Sequence, residues 1–295
     1  MDRQQTITQE AGCTGVGLHT GQTVRLTLRP AGVGEGVRFV RTDVRDRDPV
    51  ILAHALNVST TQLGTNLTNG AGVSVATVEH LLAACSGMGV DNLVVELEGP
   101  EAPILDGSSA PFCRLIERAG PVPQEALRRR LQILKTVEIR EGAKIVRLSP
   151  GSGLQLDVTI DFASRAIGRQ KIVFTMKPGA FARDIASART FGFAGDVEKL
   201  RSMGLARGGS MDNAIVVDGD RILNPDGLQT EDEFVRHKLL DVIGDLFLAG
   251  GPIEGHYEGE QPGHALNNRL LRAVLADPDA SAWVTSPSPP ASHLV

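Results

Sequence analysis

One arrangement occurs twice along this chain: extended strands, a helix with a histidine near its start, a glycine-rich turn, and a further extended segment. In the first half Val24, Leu26 and Leu28 alternate with Thr23, Arg25, Thr27 and Arg29, and Val37 and Phe39 flank Arg38. A period of two puts one face of each strand into a core. A helix follows over about 77–86, apolar at Val78, Leu81, Leu82 and Cys85; it carries His80 and is stopped by Gly87 and Gly89. Leu93, Val95 and Leu97 then alternate. In the second half Leu154, Leu156, Val158, Ile160 and Phe162 keep the same period, as do Ile172, Phe174 and Met176. The second histidine, His237, lies near the start of a helix over about 231–249 with a stripe of Val235, Leu239, Val242 and Leu246. That helix opens on Glu231, Asp232 and Glu233, which suit the positive end of a helix dipole. Few residue identities link the halves, so the internal duplication is read from the pattern.

Punctuation completes the outline. Asp106-Gly107 is a turn, and Ser108 or Ser109 caps a helix carrying Phe112, Leu115, Ile116 and Ala119, closed by Gly120. Pro121-Val122-Pro123-Gln124 reads as a linker, which predicts one unit over 1–125 and a second over 126–284. Asp218-Gly219 marks a hairpin between Ala214–Val217 and Arg221–Leu223. A last helix covers about 266–276, and the Ser/Pro-rich stretch over 285–295 predicts a mobile tail.

Composition narrows the chemistry. With 295 residues and a net charge of −5, the chain lacks the basic excess of a nucleic-acid binder. The N-terminus, Met1-Asp2-Arg3-Gln4-Gln5, has no apolar stretch behind it, and no apolar run reaches the roughly 18 residues of a membrane span. A cytoplasmic protein is expected. Cys13, Cys85 and Cys113 are odd in number and far apart, which argues against a disulfide framework and a cysteine metal site. Any metal ligands must then be His, Asp or Glu.

His237 and Asp241, four apart on a helix, project from one face about one turn apart, and Asp245 extends that stripe. Such a pair can hold one divalent cation, each donor about 2 Å from a zinc ion. In isolation it is more often a solvated helix face or a His–Asp hydrogen bond. Glu79-His80 offers a second element: neighbours on a helix point about 100° apart, so one can ligate a metal while the other reaches a water beside it. His264 follows Pro262-Gly263 in a turn before a helix. A helix N-terminus would lower its pKa and a nearby carboxylate would raise it; Asp245 is the candidate carboxylate. Gly15–Gly21 is glycine-rich and can bring backbone N–H groups to an anion, though it is no P-loop. Ser187–Phe193 mixes a hydroxyl, a cation and two aromatics, fit to line a substrate site or to pack a strand–loop junction.

Taken together, GVGLHTG at 15–21, TVEHLLAA at 77–84, DNLVVEL at 91–97, PILDGSSAPF at 103–112, ARTFGF at 188–193, DEFVRHKLLDVIGDLF at 232–247 and GHALNN at 263–268 resemble the UDP-3-O-acyl-N-acetylglucosamine deacetylase family. The resemblance runs from about residue 4 to about residue 284. It implies an α+β fold of two similar domains, each a sheet with helices, with the helices packed between the two sheets. It implies removal of the N-acetyl group of an acylated UDP-sugar, an early step of lipid A biosynthesis, by a monomer with one catalytic zinc ion; Fe²⁺ suits the same ligands. Another zinc amidohydrolase of the same fold, or a non-catalytic nucleotide-sugar binding module, are the alternatives.

By the same resemblance His80, His237 and Asp241 are the metal ligands and Glu79 is the general base. His264 stabilises the oxyanion or protonates the leaving amine, Asp245 orients His264, and Thr190 donates to the acetyl carbonyl. His19, Phe191 and Lys238 lie against the nucleotide-sugar. Leu18, Val197, Leu200, Ala206, Met211, Ala214 and Val216 line a passage for the acyl chain. Gly64 stands where some relatives carry a cysteine near the metal, so chemistry through that thiol is absent.

Overall fold

A computed structural model describes residues 2–285. The tail expected over 285–295 therefore lies, apart from Thr285, outside the described residues. Strands β1 (Ala11–Val16), β2 (Thr23–Pro30), β3 (Val37–Arg41), β4 (Val50–Leu52) and β5 (Leu93–Glu98) form one sheet in the order β1-β2-β5-β3-β4. Strands β6 (Val137–Glu141), β7 (Lys144–Ser149), β8 (Leu154–Asp161), β9 (Arg169–Thr175) and β10 (Ile253–Glu260) pair in the order β6-β7-β10-β8-β9. In both sets successive neighbours are antiparallel, antiparallel, parallel and antiparallel. The described helices are α1 (Glu79–Met88), α2 (Ala110–Ala119), α3 (Ala180–Asp184), α4 (Ala194–Ser202), α5 (Glu233–Phe247) and α6 (His264–Ala276). Helix α1 precedes β5 and α2 follows it; α5 precedes β10 and α6 follows it. The doubling inferred from hydrophobic period is thus a doubling of topology, in an α+β fold.

The period-two residues fill the cores as their spacing requires. Val24, Leu26 and Leu28 of β2 are wholly buried, as are Leu156 and Val158 of β8. The second sheet is larger than the first. Strand Arg130–Ile133 runs parallel to the start of β10 and antiparallel to Ser281–Val284.

Two expectations need correction, and one choice left open is resolved. The supposed linker is a strand, Pro121–Leu127, antiparallel to Arg3–Ile7. Its prolines are tolerated because a two-stranded ribbon has free edges where a missing N–H costs nothing. Of the two hydroxyls offered for the start of α2, Ser109 donates to the carbonyl of His80 at 2.7 Å, and Ser108 Oγ accepts the Ala110 N–H at 3.2 Å. Helix α1 begins at Glu79 and not at 77, since Thr77 sits at φ 56°, outside helical geometry.

Helices α1 and α5 cross in close contact, with α2, α3 and α6 packed around them. The crossing is made by Gly244, where a Cβ would lie 2.1 Å from the carbonyl oxygen of Glu79. Only a residue without a side chain allows that approach. The start of α5 is held by a buried ion pair. Glu233 accepts from Arg189 Nε at 2.8 Å and Nη2 at 3.1 Å, and from the main-chain N–H groups of Arg189 and Gln229. Among the described residues no helix is long and apolar enough to cross a membrane.

Two outcomes follow from this packing. Gly244→Ala must force the helices apart, and denaturant titration should show a loss of about 1–3 kcal/mol or more, as for other overpacked cores; wild-type stability would mean the crossing is slack. Glu233→Ala leaves Arg189 without its carboxylate and should cost about 3–5 kcal/mol in the same measurement.

Candidate metal centre

The α1–α5 crossing carries His80 on one helix, and His237 and Asp241 on the other, into one buried cluster. The imidazole rings meet edge-on with centroids 5.1 Å apart. His237 Nε2 lies 3.4 Å from Asp241 Oδ1, and His80 Nε2 lies 3.7 Å from the same oxygen. A tetrahedral ion with bonds of about 2.0–2.2 Å has ligand–ligand edges of about 3.3–3.6 Å, so these donors fit one ion with little movement. His237 Nδ1 donates to the Ala188 carbonyl at 3.1 Å, which turns the Nε2 lone pair toward Asp241. His80 Nδ1 is buried without a hydrogen-bond partner.

The protonation states suit a cation. Burial, helped by His237, pushes the His80 imidazole down to about 3, and burial also lowers His237. Both are neutral, the ligating form. Burial works to raise the Asp241 carboxyl, but Lys238 and the histidines hold it well below the ordinary carboxylate range. Lys238 Nζ donates to Asp241 Oδ2 at 2.8 Å, leaving Oδ1 to face the imidazoles.

An acid–base pair adjoins the cluster. Glu79 Oε2 accepts the Thr65 N–H at 2.9 Å, and Oε1 faces His264 Nε2 at 3.8 Å. Burial pushes Glu79 up to about 7, against the pull of His264. His264 is the first residue of α6, where the sequence suggested a preceding turn. Of the two opposed effects expected there, the carboxylate prevails. Burial disfavours the charge, but Asp245 Oδ2, 2.9 Å from Nδ1, carries the imidazole up to about 10.

A cavity of about 310 Å³ opens over these atoms, with Leu18, Thr190 and Phe191 also in its walls. Phe191 stands edge-on to Phe234 and to the His237 ring, and Lys238 Nζ lies 5.8 Å from its centroid. Arg189, from the same segment, turns away to Glu233. His19 does not line this cavity; it braces the neighbouring loops, with Nε2 3.2 Å from the Leu63 carbonyl and Nδ1 accepting from Ala206 N at 3.4 Å. Val197, Leu200, Ala206, Met211, Ala214 and Val216 are also outside its walls. All but Met211 are half-buried, Met211 is exposed, and α4 buries no residue. A Cβ at Gly64 would lie 3.0 Å from Glu79 Oε1, so the absent thiol leaves room beside that carboxylate.

The glycine-rich segment does bind an anion, but one belonging to the chain. Buried Glu101 accepts from the main-chain N–H groups of His19 and Thr20 and from the hydroxyls of Thr20 and Thr77. Gly17 permits this, since a Cβ there would collide with the Glu101 carboxylate. Glu101, Thr65 and Asn267 were not singled out from the sequence, because their partners are remote in the chain. Leu63, Thr77 and Gln261, with φ of 59°, 56° and 50°, line the cavity. Such strain in non-glycine residues gathers at functional sites.

Comparison with known proteins agrees with this geometry. The family model described as UDP-3-O-acyl N-acetylglycosamine deacetylase matches residues 4–276. A protein of Phenylobacterium zucineum named UDP-3-O-acyl-N-acetylglucosamine deacetylase is 53% identical over 277 residues, covering 94% of each chain. Proteins of the same name from Myxococcus xanthus and Xylella fastidiosa are 53% and 47% identical, covering 93% and 99% of this chain and 87% and 96% of their own. The chain therefore belongs to the UDP-3-O-acyl-N-acetylglucosamine deacetylase family.

Proposed function

We propose that this chain hydrolyses the N-acetyl group of UDP-3-O-acyl-N-acetylglucosamine and releases acetate, an early step of lipid A biosynthesis in the cytoplasm. One observation carries the reading: in a member of this family, two imidazoles and a carboxylate converge within 4.8 Å beside the buried carboxyl of Glu79. His80, His237 and Asp241 are the ligands in this account, with zinc preferred and Fe²⁺ compatible with the same donors. When bound, the ion would supply Lewis acidity at the acetyl carbonyl and lower the pKa of a water molecule.

The remaining chemistry belongs to the side chains. Glu79, raised to about 7, is suited to take a proton from the attacking water near neutral pH. His264, kept charged by Asp245, stands where negative charge develops on the carbonyl oxygen, and Thr190 donates from the cavity wall. A single such donor is typically worth about 2.7–4 kcal/mol in the transition state. The leaving amine needs a proton, and after attack both Glu79 and His264 carry one. Lys238 and Phe191 form the face for the nucleotide-sugar, and His19, on the neighbouring loop, is assigned to the same ligand. Leu18, Val197, Leu200, Ala206, Met211, Ala214 and Val216 are assigned to the acyl chain. The repeated topology supports two duplicated units meeting near residue 125, in a protein that acts as a monomer.

The test measures metal content and acetate release on the same samples. His80→Ala, His237→Ala and Asp241→Ala should lose both, as should a chelated wild type until zinc is restored. Glu79→Ala should keep its metal and lose turnover by about 10²–10⁴-fold; normal turnover in that variant excludes Glu79 as the base.

A further inference from the structure

We propose that Thr65 is a positioning residue that sets both members of the acid–base pair, its main-chain N–H holding Glu79 and its hydroxyl holding Asp245 behind His264, with Asn267 and Tyr257 completing the shell. The catalytic meaning of this arrangement rests on the function proposed above.

The hydrogen-bond inventory carries the argument. An ionised carboxylate only accepts. Asp245 accepts from Thr65 Oγ1 on Oδ1 at 2.6 Å, and on Oδ2 from Asn267 Nδ2 at 2.8 Å and His264 Nδ1 at 2.9 Å. The single hydroxyl hydrogen of Thr65 is committed to Asp245, so the Oγ1 lone pairs face His264 Nδ1, 3.3 Å away. Both groups beside Nδ1 are acceptors, and Nδ1 must carry its hydrogen. Nε2 is then the atom turned to Glu79 and the cavity. On the other side, the Thr65 N–H occupies Glu79 Oε2 and leaves Oε1 toward His264. One residue thus selects the working oxygen of the base and the working nitrogen of its partner.

The shell is rigid for physical reasons. Thr65, Asp245, Asn267 and Tyr257 are all buried, where a hydrogen bond is strong and an unmade one costly. Tyr257 donates its hydroxyl to Asn267 Oδ1 at 2.7 Å, which fixes the amide with Nδ2 on Asp245. The Thr65 carbonyl accepts from Val78 N at 3.3 Å, so its main chain is tied to the start of α1 at both ends.

The experiment contrasts Thr65→Val, which keeps shape and loses the hydroxyl, with Thr65→Ser, which keeps the hydroxyl and loses a methyl. A packing role would be served by Val and harmed by Ser; a positioning role requires the reverse. Zinc-loaded Thr65→Val should lose about 10–100-fold in kcat, the usual range for a shell behind the reacting groups, with KM and metal content near wild type. Thr65→Ser should stay within a few fold of wild type. A readout independent of turnover is the proton resonance of His264 Nδ1–H, assigned by its loss in His264→Ala. It should be displaced or broadened in Thr65→Val and kept in Thr65→Ser. Tyr257→Phe should move the same resonance and lower kcat, and it carries the test if Thr65→Val does not fold. Wild-type kcat and an unmoved resonance in Thr65→Val, or equal impairment of the Ser and Val variants, would overturn the proposal. If wild type releases no acetate while the resonance still separates Val from Ser, the function fails and the positioning shell stands.

Discussion

The approach of α5 to α1 at Gly244 is the constraint on which the site depends. Glu79 and His80 lie on one helix, and His237, Asp241 and Asp245 on the other. His237 and Asp241 face each other on α5, and His80 joins them only from the other helix. A Cβ on Gly244 would occupy the position of the Glu79 main chain, so a side chain there pushes the two sets of donors apart. The helices come from the two topologically equivalent halves of the chain. The cluster therefore lies where topologically equivalent helices of the two halves meet.

Electrostatics sets this crossing apart from ordinary helix packing. Buried ionisable groups are costly unless paired. Here Asp245 is neutralised by His264 and saturated by Thr65 and Asn267, while Lys238 binds only one oxygen of Asp241. The other oxygen faces the Nε2 atoms of two neutral imidazoles, 3.4 Å from His237 and 3.7 Å from His80. Two imidazole nitrogens gathered around a carboxylate oxygen form a donor set that a cation would stabilise. By contrast, Glu101 and Glu233 are buried carboxylates fully met by the chain's own donors, and they hold loops in place.

Much of this was legible in the sequence. The alternation at Val24–Leu28 and Leu154–Ile160 located core strands, and the i, i+4 spacing of His237 and Asp241 put both on one helix face. The motif set around Glu79-His80 and His264 pointed to the family. What escaped depended on distance in the chain. Thr65 meets Asp245 across 180 residues, and Glu101 meets the 15–21 loop across about 80, so local pattern carries no trace of either bond. The strand at Pro121–Leu127 was hidden by its prolines, which signal a linker unless the strand is known to lie in a ribbon with free edges. The role of Gly244 was equally silent, since a glycine within a helix pattern declares its purpose only when the opposing helix is in view.

Anomalous diffraction from zinc-loaded crystals tests the central claim most directly, because it locates the ion without reference to activity. The account predicts a peak between α1 and α5, about 2.0–2.2 Å from His80 Nε2, His237 Nε2 and an oxygen of Asp241. A peak elsewhere, or fully loaded protein with no peak among those three atoms, would contradict it.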